Sequence, residues 1–253
     1  MQALKVRNIV LGQGMPSICV PLTEQSTDEL ISVIEQAQVL GADLVEWRVD
    51  FFNNSSDIDA VCAALCSLRA ALGEMPLIFT FRRKVEGGNK AISESDYCEL
   101  ISSVAQTGYV DLMDIEYSIG EAQFNELASS CKAHDIPVIG SHHNFELTPD
   151  AQFIVNMLAT MEAHDADITK IAVMASCTDD VLTLLEASNE FAKQAQRPFV
   201  AISMGNAGAL SRLSGEMFGS VLTFASANKA SAPGQMSVTE VRQVLSLFHT
   251  MLQ

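Results

Sequence analysis

Eight short apolar runs, rich in β-branched residues, alternate along the chain with stretches of helical periodicity. No other feature restricts the fold as much, because every run needs a hydrogen-bonding neighbour and every amphipathic stretch needs a face to cover. Strands are predicted at Ser17 to Val20, Asp43 to Arg48, Leu77 to Arg82, Val110 to Glu116, Pro137 to Ser141, Thr169 to Met174, Pro198 to Met204 and Val221 to Ala225. Several are almost continuously apolar, as parallel strands covered on both faces must be. Between them, apolar residues three and four apart make single helical faces. The stripes are Leu100, Ile101, Val104 and Ala105; Phe124, Leu127, Ala128 and Cys131; Phe153, Ile154, Met157, Leu158 and Met161; Val181, Leu184, Leu185 and Ser188; and Val238, Val241, Val244, Leu245 and Phe248. Ser26 to Glu29 and Ser237 to Glu240 read as capping boxes, and Thr148-Pro149 as an N-cap followed by proline at the first helical position.

Eight βα units in 253 residues predict an α/β protein, a (β/α)8 TIM barrel forming one domain over residues 1–253. An open doubly wound sheet uses fewer strands and wants a glycine fingerprint after its first. Here the first strand runs into Pro21-Leu22-Thr23, with no such fingerprint. Lys5 to Met15 predict a short N-terminal hairpin, with Gly12 and Gly14 in or near its turn, closing the bottom of the barrel.

Composition narrows the partners. Fifteen basic against 31 acidic residues give a net charge of −16, which argues against nucleic acid and against an anionic membrane surface. No window approaches the about 18–20 apolar residues of a membrane span, and the N-terminus has no apolar signal core. Six cysteines lie scattered without a CxxC pair, so buried thiols in a reducing, cytoplasmic setting are expected.

In such a barrel the chemistry sits at the C-terminal ends of the strands. Those ends carry Glu46 and Arg48, Arg82 with Glu86 beyond it, Asp114 and Glu116, His142-His143, Lys170, and Met204 with Arg212 shortly after. Lys170 lies in an apolar strand on the face shared by Ala172 and Met174. Desolvated, its amine could attack a ketone; the structural alternative is an ion pair to Glu116 or Glu46. His142 and His143 must point opposite ways, so one faces the mouth and could shuttle protons. A metal reading would join it to Glu46, Asp114 or Glu116, but no HxH or HExxH spacing occurs. Glu86, before Gly87-Gly88, either orients that histidine or is an exposed loop acid. Arg48, Arg82 and Arg212 suggest a local positive pocket for carboxylate or phosphate. Gly205 to Gly208 would suit a phosphate, and Ser231 to Gln235 reads as a loop able to close over a ligand.

Together Glu46-Trp47-Arg48-Val49-Asp50, Phe79-Thr80-Phe81-Arg82, Glu86-Gly87-Gly88, Asp114-Ile115-Glu116, Ser141-His142-His143-Asn144-Phe145, Lys170-Ile171-Ala172, Ser211-Arg212-Leu213 and Ser231-Ala232-Pro233-Gly234-Gln235 resemble type I 3-dehydroquinate dehydratase over essentially the whole chain. The resemblance implies a homodimeric barrel that needs neither metal nor organic cofactor and dehydrates 3-dehydroquinate. It implies that Lys170 forms an imine with the substrate ketone, that His143 moves the protons, and that Glu86 pairs with His143. It implies that Arg212 binds the substrate carboxylate, that Glu46, Arg48, Arg82, Ser231 and Gln235 hold ring hydroxyls and order the loop, and that Met204 lines the pocket. Pro21 departs from the family pattern, which has a serine there in many members; a hydroxyl contact is thereby lost. A Schiff-base aldolase on the same barrel and a catalytically silent barrel are the rival readings.

Overall fold

The computed structural model describes residues 1–227 and 235–253. Of the candidate site residues, Ser231 lies outside the described residues. Two short antiparallel strands, β1 (Leu4–Val6) and β2 (Ile9–Leu11), come first. Then follow β3 (Ser17–Leu22), α1 (Thr27–Val39), β4 (Leu44–Arg48), α2 (Ile58–Leu72), β5 (Leu77–Thr80), α3 (Glu94–Ala105), β6 (Leu112–Glu116) and α4 (Glu121–Lys132). The second half holds β7 (Val138–Asn144), α5 (Ala151–Ala163), β8 (Ile168–Met174), α6 (Thr178–Ala192), β9 (Phe199–Met204), α7 (Ala209–Leu213), α8 (Gly215–Phe218), β10 (Leu222–Phe224) and α9 (Val238–Leu252).

Strands β3 to β10 form one parallel sheet in the order β10-β3-β4-β5-β6-β7-β8-β9. The ends meet where Val221 N donates to Phe199 O at 2.9 Å and Ala201 N donates to the Ser220 hydroxyl at 3.1 Å. The predicted (β/α)8 barrel is thus observed. Its seventh unit departs from the pattern: two short helices, α7 and α8, replace one long one.

Strand alternation divides the apolar residues between two cores. Outward residues such as Val45, Trp47, Phe79, Ile115, Ile171 and Phe199 pack under the helices, joined by most of the predicted helical stripes; Val181 and Leu185 instead form a small separate cluster with Ala175, and Val244 and Phe248 are half-buried outside both. Inward, Cys19, Leu44, Ile78, Leu112, Ile139, Ile168, Val200 and Leu222 fill the lower barrel, one from each strand. Val6 and Leu11 of the hairpin pack into the same cluster, so the hairpin does close the bottom. Each such side chain removed from water contributes about 1.5–3 kcal/mol.

Local details correct several expectations. The hairpin turns at Arg7 and Asn8, with Arg7 at φ +48°, while Gly12 and Gly14 follow the second strand. The N-cap of α5 is Asp150, whose carboxylate accepts from Phe153 N at 2.8 Å; Thr148 instead donates its hydroxyl to Met174 O. Phe153 is 40% exposed and rests against His142, so the buried face of α5 is Ile154, Val155, Leu158 and Met161. Only Cys19 and Cys131 are fully buried thiols, and Cys66 and Cys177 are exposed. Both predicted capping boxes form. No helix among the described residues is long and apolar enough to cross a membrane.

Candidate active site

Two residues beyond the lower inward layer, each strand presents another inward side chain: Pro21, Glu46, Thr80, Asp114, Ser141, Lys170, Ile202 and Phe224. Here the interior turns from apolar to charged. Lys170 Nζ donates to Glu46 Oε1 and to Asp114 Oδ2, both at 3.2 Å, and lies 4.7 Å from the centre of the Phe224 ring. Thr80 donates to Glu46 at 3.0 Å and Ser141 to Asp114 at 2.7 Å. Burial opposes ionisation of Asp114, yet Arg82 and Lys170 outweigh it and hold its carboxyl below the usual carboxylate range. The ion-pair partners of Lys170 are therefore Glu46 and Asp114; Glu116, the other partner expected, is engaged elsewhere.

The next inward positions up include Arg48, Glu116, His143, Ala172 and Met204, with Arg82 beside them. Arg82 is buried in a network, donating to Glu116 at 3.0 Å, Ser141 at 3.0 Å and Asp114 at 2.9 Å. Arg83 also grips Glu116, through Nε at 2.5 Å and its main-chain N–H at 2.8 Å. Arg48 forms a two-pronged pair with Asp50, each bond 2.8 Å, and its guanidinium stacks on Phe51. Two of the three arginines expected to make a positive pocket are thus neutralised. Arg212, on α7, differs. It is 2% exposed, its Nε has no hydrogen-bond partner among the described residues, and burial pushes the guanidinium down to about 10. A buried cation of this kind costs stability unless an anion joins it.

Glu86 is buried, not an exposed loop acid. It sits on a one-turn 3-10 segment, Lys84–Glu86, and the two glycines after it fix the loop. Gly87 has φ +81°, and a Cβ there would lie 2.3 Å from the Phe145 ring. A Cβ on Gly88 would lie 1.8 Å from Arg82 O. So placed, Glu86 Oε2 accepts from the His143 main-chain N–H at 3.1 Å and lies 3.0 Å from His143 Nδ1. Since that oxygen acts as an acceptor, Nδ1 carries the proton and Nε2 keeps its lone pair. Burial, then the charges of Arg82, Lys170 and Arg48, hold His143 well below the usual imidazole value, so it is neutral at pH 7. Burial raises Glu86 to about 7, against the pull of Arg82. His142 points outward, as alternation requires.

Glu46, Arg48, Arg82, His143, Lys170, Met204, Arg212 and Gln235 all line one cavity, with Pro21, Phe145, Ala172, Ile202 and Phe224. Glu86 backs it through His143. Sequence reasoning did not assign Phe145 or Phe224 to the site. Phe224 was within reach, since it lies two residues beyond inward-facing Leu222; Phe145 was not, because it follows the strand and stacks on His143 through loop geometry. Among the described residues, no group of three or more His, Cys, Asp and Glu is arranged to hold a metal; the acids nearest the pocket are engaged by cations.

A (β/α)8 barrel with a lysine amine, an imidazole seated on a carboxylate and a buried guanidinium around one small cavity is a barrel enzyme with its chemistry at the strand ends. Comparison with known proteins narrows this. The family model for type I 3-dehydroquinase matches residues 18–251, and the chain belongs to that family. It is 45% identical over 250 residues to the 3-dehydroquinate dehydratase of Syntrophotalea carbinolica, covering 98% of this chain and 99% of the relative. The crystal structure of the type I 3-dehydroquinate dehydratase of Clostridium difficile with covalently modified comenic acid matches with a TM-score of 0.96 at 42% identity, covering 99% of each chain. That of the 3-dehydroquinate dehydratase of Geobacillus kaustophilus matches with a TM-score of 0.96 at 36% identity, covering 100% of this chain and 98% of the other.

Proposed function

We propose that the chain removes water from 3-dehydroquinate to give 3-dehydroshikimate, through an imine on Lys170. The observation that carries this reading is the convergence of Lys170, the Glu86–His143 pair and Arg212 on one cavity. Arg212 pairs with the substrate carboxylate, which supplies the anion that its buried guanidinium does not find among the described residues. The Lys170 amine adds to the ketone and expels its oxygen as water, leaving a protonated imine. That cation is an electron sink, so His143 Nε2 can take the proton from the adjacent carbon. The electron pair released then expels the ring hydroxyl, and the imidazolium returns its proton to the departing oxygen. A second water hydrolyses the imine and frees Lys170. Glu46 and Asp114, each 3.2 Å from Nζ, orient the amine. Glu46, Arg48, Arg82, Ser231 and Gln235 hold ring hydroxyls and order the loop, and Met204 walls the cavity. The covalently modified ligand of the Clostridium difficile relative supports covalent chemistry at such a site. The reading includes a cytoplasmic homodimer.

Borohydride reduction in the presence of 3-dehydroquinate, followed by peptide mass spectrometry, tests it. A ligand-sized adduct on the Lys170 peptide, absent in Lys170→Ala, is expected. His143→Ala should still form the adduct but stall in turnover. Turnover without any adduct would overturn the imine, and neither adduct nor turnover would overturn the function and leave the aldolase or the silent barrel.

A further inference from the structure

Behind the Glu86–His143 pair lies a hydrogen-bonded chain that the reaction above does not use. Glu86 has two carboxylate oxygens. Oε2 serves His143, through both the ring and the main chain. Oε1 meets the hydroxyl of Ser118, which lies on the 3-10 turn Tyr117–Ile119 that follows β6. Arg83 Nη2 donates to that same hydroxyl oxygen at 2.7 Å, and Arg83 is in turn held by Glu116. A guanidinium can only donate. The Ser118 oxygen is therefore already an acceptor toward Arg83, and its single proton points to Glu86. The direction of the chain is fixed: Arg83 to Ser118 to Glu86 to His143.

We propose that Ser118, aligned by Arg83, is a positioning residue for the proton-transfer machinery, favouring the carboxylate form of Glu86 and keeping its other oxygen turned to His143 Nδ1. The inference rests on the function proposed above and deepens it. A proton on Oε1 would point at the Ser118 proton, and a proton on Oε2 would point at the two His143 donors. Either way the acid form of Glu86 gives up a bond that the carboxylate makes. The Ser118 hydrogen bond lowers the Glu86 carboxyl, against burial and against the charges of Glu116 and Asp114 on β6; Arg82, 3.6 Å away, acts in the same sense as Ser118. On the His143 side, Lys170, Arg48 and the titratable ring of His142 are the remaining groups that act on it. Ser118 itself is exposed, so its replacement does not open the core.

The test compares the pH profiles of kcat and KM for the full chain, Ser118→Ala and Ser118→Thr with 3-dehydroquinate. In Ser118→Ala, Glu86 protonates more readily, so the acid limb of kcat should move up by about 0.5–1 pH unit, with KM little changed. Ser118→Thr, which keeps the hydroxyl, should restore the parent profile. The Lys170 adduct should still form in both variants, because imine formation does not use Ser118. An unshifted acid limb in a Ser118→Ala variant that still yields the adduct would overturn the role of Ser118 alone. No turnover by the parent chain would overturn the function itself. Should Ser118→Ala prove poorly folded, Arg83→Lys, which cannot fork between Glu116 and Ser118, is expected to show the same shift.

Discussion

Burial raises the Glu86 carboxyl from 4.5 to about 7, with Arg82 limiting the rise. Between those values the folded chain binds a proton that the unfolded chain has lost. Stability contributed by Glu86 therefore falls as pH rises through that window. Glu86→Gln should be more stable than the parent at pH 8 by about 1–3 kcal/mol, with no advantage at pH 4. Its turnover should drop by about 10²-fold or more, since His143 loses its carboxylate partner. Melting curves at the two pH values check the first point, and equal melting temperatures at pH 8 would sink it. Arg212 poses the opposite problem, a buried cation with no carboxylate partner among the described residues. Arg212→Lys removes the planar fork but keeps the charge, and should raise KM by roughly 10–100-fold with a smaller effect on kcat. Steady-state kinetics with 3-dehydroquinate decide this; an unchanged KM would move the carboxylate to another residue.

Loops after strands carry the same logic one level up. The turn holding Glu86 exists because the main chain at Gly88 passes against Arg82 O, where no side chain fits. Gly88→Ala is expected to cost at least about 2–4 kcal/mol and to lower turnover together with stability. Gly41→Ala is the control. Nothing lies within 4 Å of its Cβ, so only its φ of +78° resists, at a cost of about 1 kcal/mol. Chemical denaturation of the two variants should show this difference, and equal losses would contradict it. The strands themselves were legible because buried parallel strands leave long apolar runs. Their ends were less so. The first extends past Val20 to Leu22, since Pro21 and Leu22 still pair across to Glu46 and Trp47, and the fifth runs on to Asn144 beside Val173. Lys170 and His143 stood out as polar residues at strand ends, whereas Glu86, in the loop beyond, read equally as an exposed acid. What the sequence could not disclose was the pairing. Arg48, Arg82 and Arg212 look alike in one dimension, and only the approach of Asp50, Asp114 and Glu116 separates the neutralised pair from Arg212, which meets no carboxylate among the described residues.

Along the barrel axis the molecule divides into an end that holds and an end that reacts. Val6 and Leu11 seal the lower interior, and the charged layer begins two residues further along each strand. The two ends should respond separately to substitution. Leu11→Ala, removing a side chain that is 1% exposed, is expected to cost about 2–4 kcal/mol of stability while leaving kcat within about twofold of the parent. Denaturation and kinetics on one preparation check both halves, and a large fall in kcat would show that the plug reaches the site. The net charge of −16 belongs to this level too. Under the function proposed above, it repels an anionic substrate at long range and leaves attraction to the short-range field of Arg212.

The reacting end is floored by a belt of three cations, Lys170, Arg82 and Arg83, against three carboxylates, Glu46, Asp114 and Glu116. Its signs cancel and each member touches at least one of the opposite charge. Exchange of Lys170 would strand Glu46 and exchange of Glu116 would strand Arg83, whereas every other member leaves its neighbours a second partner, so the cost of substitution is concentrated at these two positions. A change at Glu116 is therefore expected to persist only with a compensating change at Arg83, while a change in the apolar floor costs stability without unpairing a charge.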